Sequence, residues 1–283
     1  MEMKKALKYV CNEFIFGGHL VALGPTVISF SVMRLKSLEI SWPLLFSVYL
    51  VTYIIHLLDR YFDIATDSSP ERKQHFERYY NKIFYPLTIS LILLVASIIH
   101  GGYTALLIAL FLVVVGILYS LLFKNLTRYI IGFKSFYTAI AFSSVALFSA
   151  FFYDLPIDNS IWLIFAFFTT RWFANTIFCD IKDNSEDSKL GLKTFSLVFG
   201  KPSLGALIIF VGLISIGILL YGTSQNILPA GFSVLGISVL YNFYYLQKAR
   251  RPGADFQNIA NVWADGESII WLLAILIGAS TWG

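Results

Sequence analysis

Nine stretches of roughly 20 mostly apolar residues leave this chain little choice of fold. They lie at about 14–33, 42–58, 84–100, 103–123, 133–153, 159–179, 203–222, 227–247 and 267–282. A hydrocarbon core of about 30 Å is crossed by roughly 20 helical residues. Backbone polar groups inside it must be satisfied by the segment itself. The runs are continuous rather than alternating, which favours helices over barrel strands. Charge agrees with this: 57% of residues are hydrophobic, 13% are charged, and mean hydropathy is +0.72. Such a composition excludes a soluble enzyme, a disordered chain and a nucleic-acid-binding domain. The expectation is one all-α domain over residues 1–283, an integral, multi-pass bundle of nine transmembrane helices surrounded by membrane lipid. The first stretch runs to about Met33 without a small-residue cleavage site, so it is expected to stay as a span, kinked at Pro25.

The basic residues orient the bundle. Of the 21 Lys and Arg, eighteen fall in the N-terminus and in the connections after the second, fourth, sixth and eighth stretches. Arg34 and Lys36 lie on the other side, and Arg171 lies inside the sixth stretch. Positive loops stay in the cytoplasm, so the N-terminus is expected inside and the C-terminus outside, in the cell membrane. Cys11 and Cys179 supply neither a disulfide framework nor metal-ligand spacing.

Only 17 residues are acidic, and two groups of them recur at matching places. Asp59, Asp63 and Asp67 follow the second stretch at i, i+4, i+8, which puts three carboxylates on one helical face. Asp180, Asp183 and Asp187 follow the sixth, with i, i+4 spacing between the last two. Both groups emerge on the basic side. Like charges this close repel unless a cation sits among them. Hard carboxylate oxygens suit Mg²⁺, which typically uses one or two carboxylates plus substrate phosphates. Either group alone also reads as a solvated helix end.

At these residues the sequence resembles the UbiA superfamily of intramembrane prenyltransferases. That family's first motif, Asn-Asp-x-x-Asp-x-x-x-Asp, corresponds to Asp59-Arg60-Tyr61-Phe62-Asp63-Ile64-Ala65-Thr66-Asp67. Its second, Asp-x-x-x-Asp followed by Gly-x-Lys/Arg-Thr/Ser, is filled by Asp183, Asp187, Gly191, Lys193 and Thr194. Asp59 stands for the usual Asn and Arg60 for the usual Asp. The resemblance implies Mg²⁺-dependent transfer of a prenyl group from an allylic polyprenyl diphosphate to a lipophilic acceptor, aromatic or a quinone precursor, at a site facing the cytoplasm. It makes Asp59, Asp63, Asp67, Asp183 and Asp187 the metal ligands, with Asp63 and Asp183 as the catalytic pair.

The diphosphate would also need cationic side chains. Arg72, Lys124 and Arg128 are the candidates, and positive-inside anchoring explains them equally well. Tyr119, Lys124 and Thr127 resemble a family Tyr/Lys/Thr pattern with one residue inserted. Arg171 and Asn175, one turn apart, are read as the floor of an acceptor or prenyl pocket, or else as partners of a neighbouring helix. His19 reads as an acceptor base or a satisfied interhelical His. Tyr53, Phe62, Tyr119, Tyr137, Phe168, Trp172 and Phe173 are candidates to face a carbocation. Asp265 and Glu267 are read as the outer-side start of the last span. Residues 68–83 read as an amphipathic interfacial helix over the mouth. Two other classes stay open: a secondary transporter for a cation or anion, and a membrane terpene cyclase with no separate acceptor.

Overall fold

The computed structural model describes residues 2–63, 70–79 and 84–279, with side chains at all of these except 2–6, 8, 9, 60–63, 70, 71, 78, 79, 117, 120, 121 and 279. The elements in chain order are α1 (Glu2–Phe16), α2 (His19–Leu35), α3 (Trp42–Asp63), α4 (Pro70–Tyr79), α5 (Phe84–Leu118), α6 (Lys124–Leu126), α7 (Phe133–Ser143), α8 (Val145–Phe152), α9 (Asn159–Cys179), α10 (Asn184–Lys189), α11 (Phe195–Ser224), α12 (Ile237–Ala249), α13 (Phe256–Asn258) and α14 (Glu267–Ala279). Two π-helical segments, Tyr119–Phe123 and Ile259–Ala264, and a 3₁₀ segment, Ala230–Gly236, join neighbouring helices. No strand occurs among the described residues.

Among the described residues, six helical segments are long and apolar enough to cross a membrane, or seven if the bent pair α1–α2 counts as one span. Their outward faces are apolar. On α5, Ile89, Ile92, Val95 and Ile99 form an exposed stripe along one side. A surface this apolar belongs in lipid, and the protein is an integral membrane protein.

The helix α5 reverses on itself. Leu87, near its start, packs with Phe16, Tyr53, Leu57 and Phe76. Gly101 lies against Pro43 at the opposite end of α3, and Gly116 lies against Ile55. The first half therefore runs antiparallel to α3 and the second half parallel to it. The reversal is at Gly102, with φ 73° and ψ −167°, a backbone region essentially reserved for glycine.

Loops gather at two ends. At one, Lys36 pairs with Asp158 at 2.6 Å, and the Tyr153 hydroxyl donates to the Glu39 carbonyl at 2.7 Å. Asp158 also caps α9 by accepting from the Ser160 and Ile161 amides. At the other end the Gly132 amide donates to Lys193 O at 2.8 Å and the Lys193 amide to Thr127 O at 2.9 Å. These bonds clip the Gly-x-Lys-Thr segment onto the loop that follows the second half of α5. Between the ends, a large apolar core joins α2, α3, α5, α8, α9 and α14, with Phe167, Phe168, Trp172 and Trp271 at its centre.

Two expectations change. The first span breaks at Gly17–Gly18, with a 65° bend between α1 and α2, while α2 continues through Pro25. Within the segment 68–83, expected as an amphipathic helix, 70–79 is helical with Arg72, His75 and Phe76 on its buried side, and 68, 69 and 80–83 lie outside the described residues. The last span starts near Phe256, not at 267. Its polar residues Asn258, Asn261, Asp265 and Glu267 lower the local hydropathy, and several are satisfied by neighbouring helices: Asn261 by Lys182 and Glu267 by Arg171.

Replacing Gly102 by Val is expected to cost about 1–3 kcal/mol, because a β-branched residue does not adopt that backbone. Thermal unfolding in detergent reads the loss; an unchanged midpoint would refute the reversal.

Candidate active site

The α9 helix presents Trp172, Asn175, Thr176 and Cys179 at i, i+3, i+4, i+7, and all four line one cavity of about 270 Å³. Its deep part is apolar, walled by Val21, Pro25, Leu112, Val115, Phe142 and Val145. Its polar part carries Asp59 from α3, Lys124 from α6, Lys134 from α7, and Asp180, Lys182, Asp183, Glu186 and Asp187 around the end of α9. Both acidic groups thus reach the same space: Asp59 from the first, and Asp180, Asp183 and Asp187 from the second. Asp67 and the side chain of Asp63 lie outside the described residues.

The second acidic group is organised by a residue the sequence reading passed over. The Lys134 ammonium, buried, donates to Asp187 at 2.5 Å and lies 3.0 Å from Asp180. The Ser135 hydroxyl donates to the other Asp180 oxygen at 2.6 Å. Thr127 fixes the lysine by accepting from its backbone amide at 3.0 Å. Asp180 is therefore an anchor for the α7 helix start, while Asp183 and Asp187 are the motif pair. Burial pushes the Asp187 carboxyl up to about 6; Lys134 acts against this rise, and the charges of Asp180 and Asp183 add to it. Such a group calls for further positive charge. Gly191, with φ 68°, turns the chain after α10 so that Leu192 closes back on Asp187 through its amide at 2.9 Å. Lys134 was legible only as one more basic loop residue, because its pairing depends on the fold of two distant loops.

The donor set is a hard-oxygen one. Among the described residues no three His, Cys, Asp or Glu converge closely enough to hold an ion by themselves. The carboxylates present supply hard oxygens that fit a divalent metal, for which one or two carboxylates with substrate phosphates suffice.

The other candidates fall on both sides of the cavity wall. Lys124 lines it, whereas Arg128 is exposed and Arg72 lies on the buried side of α4; neither is among the described lining residues. Asn175 lines it and donates to Ala264 O at 2.6 Å. Arg171 does not belong to the floor. It is fully buried on the far side of α9, bonded to Glu267 at 2.6 Å and to Asn242 and the Ser238 carbonyl. The physical reason is local: Glu267 and Asn242 from α14 and α12 supply the partners that a buried guanidinium needs. His19 is likewise an interhelical residue, stacked on Tyr53 and bonded to the Tyr49 hydroxyl at 2.6 Å. Of the aromatic candidates, Tyr119, Tyr137 and Trp172 line the cavity, with Phe142 added. Phe168 is core, Phe173 packs against Phe136 and Phe195, and the side chain of Phe62 lies outside the described residues. Asp265 is not at an outer helix start: it lines the cavity beside Cys179, with Oδ1 3.6 Å from the sulfur.

The sequence matches the model of the UbiA prenyltransferase family over residues 21–264. The fold is similar to an apo structure of a UbiA homolog from Aeropyrum pernix K1, with TM-score 0.68 and 12% identity, covering 90% of this chain and 96% of that one. It is also similar to a solved structure of digeranylgeranylglyceryl phosphate synthase, with TM-score 0.57 and 17% identity, covering 97% of this chain and 99% of that one. No curated protein matches the sequence.

Replacing Lys134 by Met would leave Asp180 and Asp187 buried without their cation. Breaking a buried pair this way is expected to cost about 3–5 kcal/mol. Unfolding of the purified variant in detergent measures it, and wild-type stability would contradict the anchoring role.

Proposed function

Because the chain belongs to the UbiA prenyltransferase family, we propose that it transfers a prenyl group from an allylic polyprenyl diphosphate to a lipophilic acceptor, aromatic or a quinone precursor, inside the membrane. Intramembrane prenyl transfer is the family's general chemistry; the dependence on Mg²⁺ and the acceptor type are our reading. The observation that carries it is the shared cavity: Asp59 and the pair Asp183/Asp187, more than 120 positions apart in sequence, face one space that continues into apolar walls.

Asp59, Asp63, Asp67, Asp183 and Asp187 would hold Mg²⁺, which when bound offsets the negative charge that builds on the departing diphosphate. Lys124 binds the diphosphate from the cavity wall. Lys134 keeps Asp187 and Asp180 fixed, so that the acidic edge does not rearrange when the substrate arrives. The apolar arm takes the isoprenoid chain. Tyr119, Tyr137, Phe142 and Trp172 present ring faces and edges around it and exclude water from an allylic cation. The helix α4, amphipathic and packed against α1, covers the same end of the bundle.

The bundle is read as nine passes: α2, α3, the two halves of α5, α7–α8, α9, α11, the 3₁₀ segment with α12, and α13–α14. The basic loops then lie in the cytoplasm, with the N-terminus inside, the C-terminus outside and the site at the cytoplasmic face of the cell membrane. Support comes from the grouping of the Lys36 and Asp158 loops at the end opposite the acidic residues.

Purified protein given geranylgeranyl diphosphate and Mg²⁺ is expected to release diphosphate and to prenylate a lipid-extract acceptor. Chelation with EDTA stops this and Mg²⁺ restores it. Asp63→Ala and Asp183→Ala are each expected to lower turnover at least about 100-fold while eluting as folded protein. Release that ignores EDTA, or turnover retained in either variant, refutes the metal assignment. Release with no prenylated product from any extract points instead to a cyclase.

A further inference from the structure

The last helix brings a carboxylate to the cavity that neither acidic motif contains. The π-helical segment Ile259–Ala264 widens the helix just before Asp265, whose amide bonds back to Ala260 O at 3.0 Å. Widened turns of this kind frequently mark functional sites. Two contacts across the helix pair fix the segment: Asn175 Nδ2 donates to Ala264 O at 2.6 Å, and the Lys182 ammonium donates to Asn261 at 2.7 Å. Together they hold Asp265 in the cavity wall, above the apolar arm and next to Cys179.

The same wall carries an unanswered donor. Trp172 is 97% buried and lines the cavity, yet its indole N–H has no hydrogen-bond partner among the described residues. Leaving a buried donor unpaired costs stability unless a ligand answers it. Its ring edge is seated against Gly24, where a Cβ would meet Cζ2 at 2.2 Å, so the indole has no room to swing toward α2. Trp172 and Cys179 are seven residues apart, about 10 Å along the helix. An acceptor lying on this face would therefore meet an N–H donor at its deep end and a carboxylate at the end nearer the diphosphate.

We propose that this face of α9, completed by Asp265, is the acceptor subsite, that the acceptor is a hydroxyl-bearing lipophile with a second oxygen for Trp172, and that Asp265 is the base that receives its proton. The inference rests on the prenyl-transfer reading. In the step, the hydroxyl oxygen, or the ring carbon that hydroxyl activates, bonds to C1 of the allylic chain. The C1–O bond breaks and its electron pair leaves with diphosphate. The proton displaced from the attacking atom passes to an Asp265 oxygen, so atoms and charge balance without an oxidant or reductant.

The test measures two products in one reaction: diphosphate and prenylated lipid. Purified wild type, Asp265→Asn, Asp265→Ala and Asp265→Glu are given geranylgeranyl diphosphate, Mg²⁺ and a total lipid extract of the producing cells as acceptor source. In the Asn and Ala variants, transfer is expected to fall about 100-fold, the usual worth of a positioned base. Diphosphate release persists, with the chain recovered as the free prenyl alcohol, and the Glu variant regains part of the transfer. Transfer at the wild-type level in the Asn or Ala variant overturns the proposal. So does loss of release in step with transfer in both variants, when each elutes like wild type, since Asp265 would then serve ionisation and not the acceptor. Failure of the prenyl-transfer reading itself appears separately, as a wild type that releases no diphosphate.

Discussion

Carboxylates at the edge of hydrocarbon are unstable neighbours of one another, and the arrangement of this protein follows from how that repulsion is met. Water is scarce there, the effective dielectric is low, and uncompensated charge is expensive. The chain answers part of the problem itself. Lys134 sits between Asp180 and Asp187, held by Thr127 and by the clip between the 127–132 loop and Lys193. Arg171 and Glu267 cancel each other deeper in the bundle, with Asn242, Tyr245 and Trp271 completing the network around the glutamate. The two internal pairs tie α7 to the second motif and α9 to α14. Asp59 and Asp183 line the same cavity as the lysine-paired Asp187, and in the proposed reading a cation and a diphosphate would complete the site there.

The apolar arm matters as much as the acids. A charged leaving group and a hydrocarbon chain belong to one substrate, so a site for it needs both environments within one space. Here α9 supplies the junction, because its cavity face changes from Trp172 to Asn175 and Cys179 to Asp183 within about three turns. The helix carries the apolar wall and the turn after it carries the motif, and the packing of α9 against α7, α11 and α14 fixes their spacing.

Much of this was readable before any coordinates. Long apolar runs and sparse charge announce a membrane bundle, since few residues can sit in hydrocarbon and those that do repeat their pattern over whole helices. The acidic motifs were visible because i, i+4 spacing is local. What escaped were features set by contacts between distant segments. Arg171 looked like a pocket residue because its partner Glu267 is 96 positions away. Lys134 read only as one of the basic loop residues because Asp187, which it meets, is 53 positions away. Asp265 looked like the start of the last helix because polar residues in that helix hid eleven residues of the span, from Phe256 to Gly266. The break at Gly17–Gly18 was hidden by an apolar run that continues across it, whereas Pro25, the obvious breaker, lies within α2.

The most direct measurement is a structure with Mn²⁺ in place of Mg²⁺ and a thio-linked, non-ionising geranylgeranyl diphosphate analogue. Anomalous scattering locates the metal without reference to any assumed site. The account requires metal and diphosphate together in the cavity, between the Asp59–Asp67 segment and the Asp183/Asp187 pair, with the isoprenoid chain running toward Phe142 and Trp172. Metal bound elsewhere, or an analogue seated outside this cavity, would contradict it.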